Sequence, residues 1–262
     1  MQGMQKITKS FVVQSKEVFM ISMRLVGGIG NSLFIYARGL ALAKKYDVRL
    51  LDQCTQYGCS LGRFNISLPF TKSPEGRWIG EGSLRFDPNP EIEDPCVLTG
   101  YYQSEKYFLD VAAELRQEFT LREPLAIPEY PNSVAVHVRR GDYLTWAAAS
   151  HGALPLDYYL RAANYLVDRF QGLKFYVFTD DPEWARQNFR FPHPFSVIHK
   201  TPHEDLMIMS KCRHAIIANS SFSWWGAWLG ADKTGTVIAP KDWFKTTEYD
   251  SRDIVPERWV KM

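Results

Sequence analysis

Residues 134–144 read VAVHVRRGDYL: an apolar run that stops abruptly in two arginines, a glycine and an aspartate. Side chains alternate along an extended strand, so Val134, Val136 and Val138 share one face while His137 and Arg139 share the other, about 7 Å apart. Arginine keeps its charge at any working pH, and its forked donors match phosphate oxygens. An arginine pair at the end of a buried strand therefore suits a diphosphate. The bland alternative is an Arg–Asp salt bridge that only closes a turn. A second one, the adhesion tripeptide Arg-Gly-Asp, fits poorly behind a buried strand.

After this strand the pattern alternates. A helix within 156–171 ends at Gly172 and is followed by FYVFT (175–179), a short helix, SVIH (196–199), a helix, AIIA (215–218), a helix and TVIAP (236–240). Before it, ISMRLV (21–26) leads through the glycine turn GGIG (27–30) into a predicted helix from Asn31 to about Tyr46. That helix carries Leu33, Tyr36, Ala37, Leu40 and Ala43 on one face, and VRLLD (48–52) follows. Residues 53–95 show no period and read as loops. CVLTGYY (96–102) is a further strand, and Ser104 caps a helix that buries Phe108, Val111, Leu115 and Phe119. The proline-rich 121–133 reads as a link. Strands alternating with helices imply right-handed crossovers and parallel sheets covered on both faces, with ligands at the strands' carboxyl ends. The expected organisation is an extension over 1–20, an α/β domain over 21–128 and a second over 129–262.

Lys plus Arg, 31, nearly balance Asp plus Glu, 29, so no overall field steers the chain to nucleic acid or to an acidic membrane. Any anion site must be local. Cys54, Cys59, Cys96 and Cys212 lack zinc or redox spacing and read as free thiols. VFMISM (18–23) is far shorter than the roughly 20 residues of a membrane span. A cytoplasmic protein is expected, in which the sequons at Asn65 and Asn219 carry no glycan.

GGIGNS occupies the strand-to-helix position of a phosphate-binding turn but matches neither a dinucleotide fingerprint nor a P-loop. By itself it could equally be a tight turn capped by Asn31. In ANSSFSWWGAWLG (218–230), Asn219, Ser220 and Ser221 can cap the next helix, Phe222, Trp225 and Trp228 suit a core face, and Ser221 and Ser223 place hydroxyls near a second helix start. In TDDPEW (179–184), Asp181 before Pro182 reads as an N-cap, leaving Asp180 free to accept hydrogen bonds. Thr201 and Glu204 form a capping box, and Asp205 could reach across a cleft.

In order and spacing, GGIGNSLFIYARGLALA, GYYQSEKYF, HVRRGDY, FYVFTDDPEWARQN, DLMIMSKCRHAIIANSSFSWWGAWLG, VIAPKDWF and DIVPERW resemble the bacterial α-1,2-fucosyltransferases of glycosyltransferase family 11. The chain departs at Ser32 and Leu33, where the family usually carries Gln and Met. The resemblance implies a GT-B architecture of two facing Rossmann-like domains, GDP-fucose as co-substrate, a galactose-terminated glycan as acceptor, inversion, and neither metal nor other cofactor. It implies Arg139 as diphosphate ligand with Asp142 and His137 as catalytic neighbours. Donor contacts are expected from Arg139, Arg140, His137, Asp180, Asn219, Ser220, Ser221, Ser223, Gly28 and Gly30. Acceptor contacts are expected from Asn31, Tyr102 and Gln103, with Trp78 and Trp146 as sugar-stacking candidates. The resemblance leaves open peripheral contact with an inner membrane. Three rivals stand beside it: another fucosyl linkage such as α-1,6, a non-catalytic nucleotide-sugar or glycan binder, and a metal-dependent transferase using Asp180 and Asp181.

Overall fold

The computed structural model describes residues 19–52, 61–88, 92–127, 130–191, 193–230 and 235–262. Cys54, Cys59 and nearly all of the predicted extension lie outside them. Described Cys96 and Cys212 are buried and take part in no disulfide.

The first sheet is built from β1 (Met20–Leu25), β2 (Asp47–Asp52), β3 (Phe70–Thr71), β4 (Arg77–Gly80) and β5 (Cys96–Thr99), in the order β3-β2-β1-β5-β4. The second contains β6 (Tyr130–Val138), β7 (Lys174–Thr179), β8 (Phe195–Ile198), β9 (Cys212–Ile216), β10 (Val237–Ala239) and β11 (Val260–Lys261), in the order β11-β10-β9-β6-β7-β8. Every ladder between these strands is parallel. Crossovers run through α1 (Ile29–Leu42), α3 (Leu156–Val167), α4 (Pro182–Asn188), α5 (Pro202–Lys211) and α6 (Ser221–Leu229), while α2 (Ala112–Glu118) lies between the first sheet and the second. This is the pair of doubly wound α/β sheets that the alternation implies.

The alternation along β6 divides the core. Val134, Val136 and Val138 join Tyr158, Tyr159, Ala162 and Leu166 of α3 on one face, and Ala135 points into a larger cluster on the other. That larger cluster is common to both sheets: Ile21 and Met23 of β1, Phe34 of α1, Phe108, and Trp224, Trp225 and Trp228 of α6 all belong to it. The Phe34 ring lies 4.5 Å from Trp224 and 5.0 Å from Trp225. Each such buried aromatic removes roughly 150–250 Å² from water.

Several local expectations change. β3 and β4 lie inside the stretch expected to be loop; they are short and largely exposed, which leaves no hydrophobic period to read. α1 ends at Leu42, and Leu33, Phe34, Ile35, Tyr36 and Ala37 are all buried, because sheet and α6 cover it from two sides. A helix buried all round shows no one-sided stripe. The helix expected after Ser104 is broken into two 3-10 turns before α2, although Ser104 caps the first and Phe108, Val111, Leu115 and Phe119 are buried as expected.

Candidate functional site

In a doubly wound sheet ligands bind beyond the carboxyl ends of the strands, where the strand order reverses. Here the reversals fall between β1 and β5 in the first sheet and between β6 and β9 in the second. GGIG follows β1, Gly100–Gln103 follows β5, Arg139–Asp142 follows β6 and Asn219–Ser223 follows β9. All three stretches singled out from sequence therefore sit at switch points.

The β6–β7 register pairs Val138 with Thr179, so the next residues, Arg139 and Asp180, emerge side by side. The Arg139 guanidinium donates from Nε to Asp142 Oδ1 at 3.0 Å, and as ion pairs its Nη2 lies 2.7 Å from the same oxygen and its Nη1 3.0 Å from Asp180 Oδ2. With Nε the one N–H engaged in a hydrogen bond, the N–H groups on the two terminal nitrogens keep donor capacity for a ligand. About a third of the side chain is exposed. Asp180 is not free, as the sequence had suggested: its other oxygen accepts the Arg140 backbone N–H at 2.9 Å, and Gly141 admits it because a Cβ there would lie 2.6 Å from Oδ2.

Arg140 differs from its neighbour. Its Nε donates to Asp181 at 3.1 Å and its guanidinium carbon lies 3.6 Å from the Trp184 ring centroid. Asp181 also caps α4 by accepting the Trp184 N–H at 3.1 Å, the N-cap role expected ahead of Pro182. Arg140, expected on the donor, here packs against the start of α4. Two arginines face three carboxylates here, so bare side-chain charge does not make the cluster positive.

His137 is 4% exposed, lies 5.5 Å from the Phe222 ring, and has a buried Nδ1 without a hydrogen-bond partner. Burial first, then the nearby Arg139 charge, push its pKa down to about 3. A neutral imidazole this reluctant to take a proton is a poor general base.

Past β9, the expected roles divide. Asn219 donates to the His151 and Trp243 carbonyls at 3.2 and 3.1 Å, and its own carbonyl accepts the Tyr143 hydroxyl at 2.8 Å; it pins loops together. Ser223 is fully buried and donates to the Ser220 and Ala218 carbonyls, so its hydroxyl works inside the helix. Ser220 is the N-cap residue of α6 but makes no side-chain cap bond, and Gly28 at the start of α1 has none to offer. Neither helix start is capped in the way the sequence suggested, because Asn31 lies within the first turn of α1 and Ser221 turns elsewhere.

That elsewhere is Asn31 itself. The Ser221 hydroxyl donates to Asn31 Oδ1 at 2.7 Å, and Gln103 Nε2 donates to the same oxygen at 2.9 Å. Gly30 makes the approach possible: a Cβ there would fall 2.4 Å from the Phe222 nitrogen. Gln103 and Tyr102 are buried, and Tyr102 holds a positive φ of 52°. Glu81, just past β4, stabilises that conformation by accepting the Tyr101 N–H at 2.7 Å and the Tyr102 N–H at 3.0 Å. Burial raises its pKa. Glu81 went unnoticed in sequence; its signal was a carboxylate between two glycines after a short Trp-Ile run. Trp184 and Tyr143 were missed as well, since both act through partners distant in sequence.

The remaining candidates lie apart from this knot. The Thr201–Glu204 capping box is present, and Asp205 accepts the Lys200 N–H at 3.1 Å and does not reach outward. Trp78 and Trp146 are exposed, Trp78 beneath the Arg24 guanidinium at 5.4 Å. Among the described residues no cluster of three His, Cys, Asp or Glu could hold a metal, and no helix is long and apolar enough to cross a membrane.

Residues 92–262 match the family described as Glycosyl transferase family 11. The chain is 42% identical to the O-antigen biosynthesis glycosyltransferase WbnK of Escherichia coli, over 91% of this chain and 99% of that one. It is 35% identical to an α-1,2-colitosyltransferase of Escherichia coli, over 91% and 97%. A galactoside 2-α-L-fucosyltransferase of Bos taurus is 26% identical over 83% of this chain and 66% of the relative.

Proposed function

The chain belongs to glycosyl transferase family 11, and from that premise we propose that it transfers L-fucose from GDP-β-L-fucose to the 2-hydroxyl of a terminal galactose, with inversion, making an α-1,2 bond. One observation carries the reading: the two switch points meet through Gln103, Asn31 and Ser221. A diphosphate held at one and a sugar hydroxyl at the other would be neighbours. We assign the acceptor to the half within 21–128 and the donor to the half within 129–262.

Departure of GDP builds negative charge on the diphosphate, and preorganised donors aimed at it lower the barrier. The terminal N–H groups of Arg139 and the first-turn amides of α6 are those donors. Arginine keeps its proton, so its part is electrostatic. The acceptor hydroxyl must lose its proton as it attacks. Both Arg139 contacts on Asp142 fall on Oδ1, which leaves Oδ2 to take that hydrogen bond. His137, neutral, orients and does not abstract.

No metal is proposed, since Asp180 and Asp181 are engaged by arginines. The balanced net charge supports no nucleic-acid partner. The 35% identity to a colitosyltransferase favours a second donor reading, because colitose differs from fucose by one ring hydroxyl. A site that hydrogen-bonds that hydroxyl rejects the sugar lacking it strongly, and one that does not discriminates weakly. Incubation with GDP-fucose and, in parallel, GDP-colitose on galactose-ended acceptors in EDTA, followed by linkage analysis, decides donor, linkage and metal together. Donor binding without transfer would leave a binding protein, and a 6-linked product another linkage.

A further inference from the structure

Asn31 and Gln103 were expected on the acceptor and Ser221 on the donor. The structure joins all three at one oxygen atom: Asn31 Oδ1 accepts from Ser221 Oγ at 2.7 Å and from Gln103 Nε2 at 2.9 Å. These residues come from three places, the start of α1, the loop after β5 and the start of α6. The loop end of this link is closely packed. Gly100 is pressed on Glu81, where a Cβ would meet the Glu81 Cβ at 2.4 Å, Tyr102 holds its positive φ, and Gln103 is buried. The helix end is packed as closely, with Gly30 against the Ser221 and Phe222 backbone. Asn31 has little room as well, since its Nδ2 lies over Gly27.

We propose that Asn31 is a positioning residue that latches the acceptor-side loop to the donor-side helix: Gln103 fixes Asn31, and Asn31 fixes the hydroxyl and first turn at Ser221. The inference rests on the donor and acceptor placement proposed above. Its consequence is that Gln103, without touching the nucleotide, sets nucleotide affinity. By reciprocity, whatever steadies the loop at Gln103 tightens the donor, and bound donor tightens the acceptor by the same factor.

The test is GDP affinity by calorimetry with no acceptor present, for wild type, Gln103→Ala, Gln103→Met, Ser221→Ala, the Gln103→Ala/Ser221→Ala pair, and Arg139→Ala as the donor-site control. Gln103→Met keeps side-chain length and so separates a lost hydrogen bond from a packing defect. Both Gln103 variants are expected to weaken GDP about fivefold, the usual worth of one neutral hydrogen bond. The double variant is expected to be no weaker than Ser221→Ala alone, because the two act through one atom. GDP affinity unchanged in both Gln103 variants while Arg139→Ala loses it overturns the latch and leaves the donor site standing. A wild-type protein that binds no GDP overturns the donor placement, and the latch with it.

Discussion

Gly30 and Phe222 meet backbone to backbone, so closely that a methyl group on Gly30 would lie 2.4 Å from the Phe222 nitrogen and 2.5 Å from the Ser221 carbonyl carbon. Neither neighbour is a flexible side-chain tip that could swing aside. Gly30→Ala is expected to separate the starts of α1 and α6 and to cost about 1–3 kcal/mol, as overpacking does. Gly28→Ala, two residues away, meets nothing within 4 Å at an ordinary φ of −75° and is expected to cost less, under about 1 kcal/mol, from the N-cap preference for glycine over alanine alone. Urea unfolding of the two variants checks the pair.

Arg139 and Arg140 are adjacent in sequence and unequal in role. Arg139→Lys loses the fork that spans Asp142 and Asp180 while offering a ligand N–H on each terminal nitrogen. It is expected to lower kcat/KM for donor by about a hundredfold, on the order of 3 kcal/mol. Arg140→Lys loses the stacking on Trp184, and its effect is expected mainly in thermal stability, at about 1 kcal/mol. Steady-state kinetics and thermal midpoints on both variants check the division; equal losses of donor kcat/KM would contradict it.

His137 makes folding pH-dependent. Its folded pKa of about 3 lies below the roughly 6.5 of an unfolded histidine. Between those values the unfolded chain binds a proton that the native protein refuses. Stability is therefore full above about pH 6.5 and falls by about 1.4 kcal/mol per pH unit as acid is added. His137→Asn is expected to flatten the slope between pH 6.5 and 5 by about one proton. His214, buried and held down to about 4 by burial and Arg213, contributes a second slope that this variant leaves in place. Urea midpoints across that range measure both.

Glu81→Leu keeps roughly the size of the side chain but removes the one oxygen, Oε2, that accepts both the Tyr101 and the Tyr102 N–H. A buried donor left unsatisfied costs about 1–3 kcal/mol. The turn at Tyr102 is expected to relax and carry Gln103 away from Asn31, raising the KM for the galactose acceptor several-fold. An unchanged acceptor KM, with the variant folded by circular dichroism, would remove Glu81 from the acceptor side.

Much of this was legible in the residues because it is local. The alternation in VAVHV sets which side chain faces which layer, Asp181-Pro182 and Thr201–Glu204 are caps defined within four positions, and a charged pair at a strand end announces itself. What was not legible depends on elements meeting in space. Asp180 is taken by Arg139 because β6 and β7 lie in register, and Ser223 is withdrawn because its helix buries it. Asn31, 190 positions from Ser221, has no sequence signal for the partner it finds. α1 hid its burial for a related reason: a helix covered on two sides has no polar stripe to contrast with its apolar one.

The apolar cluster that takes in Ile21, Phe34, Phe108, Trp224 and Trp259 without interruption bears on how the molecule comes apart. Cut at the proline-rich stretch between the sheets, each fragment would display the raw side of an interior, in place of a finished surface. The intact chain is expected to melt in a single step, and the two fragments to aggregate when made separately and to recover only when produced together. Any opening and closing that accompanies turnover must then be a slight tilt about the tryptophans of α6, in the manner of a stiff flexure and not a swinging door.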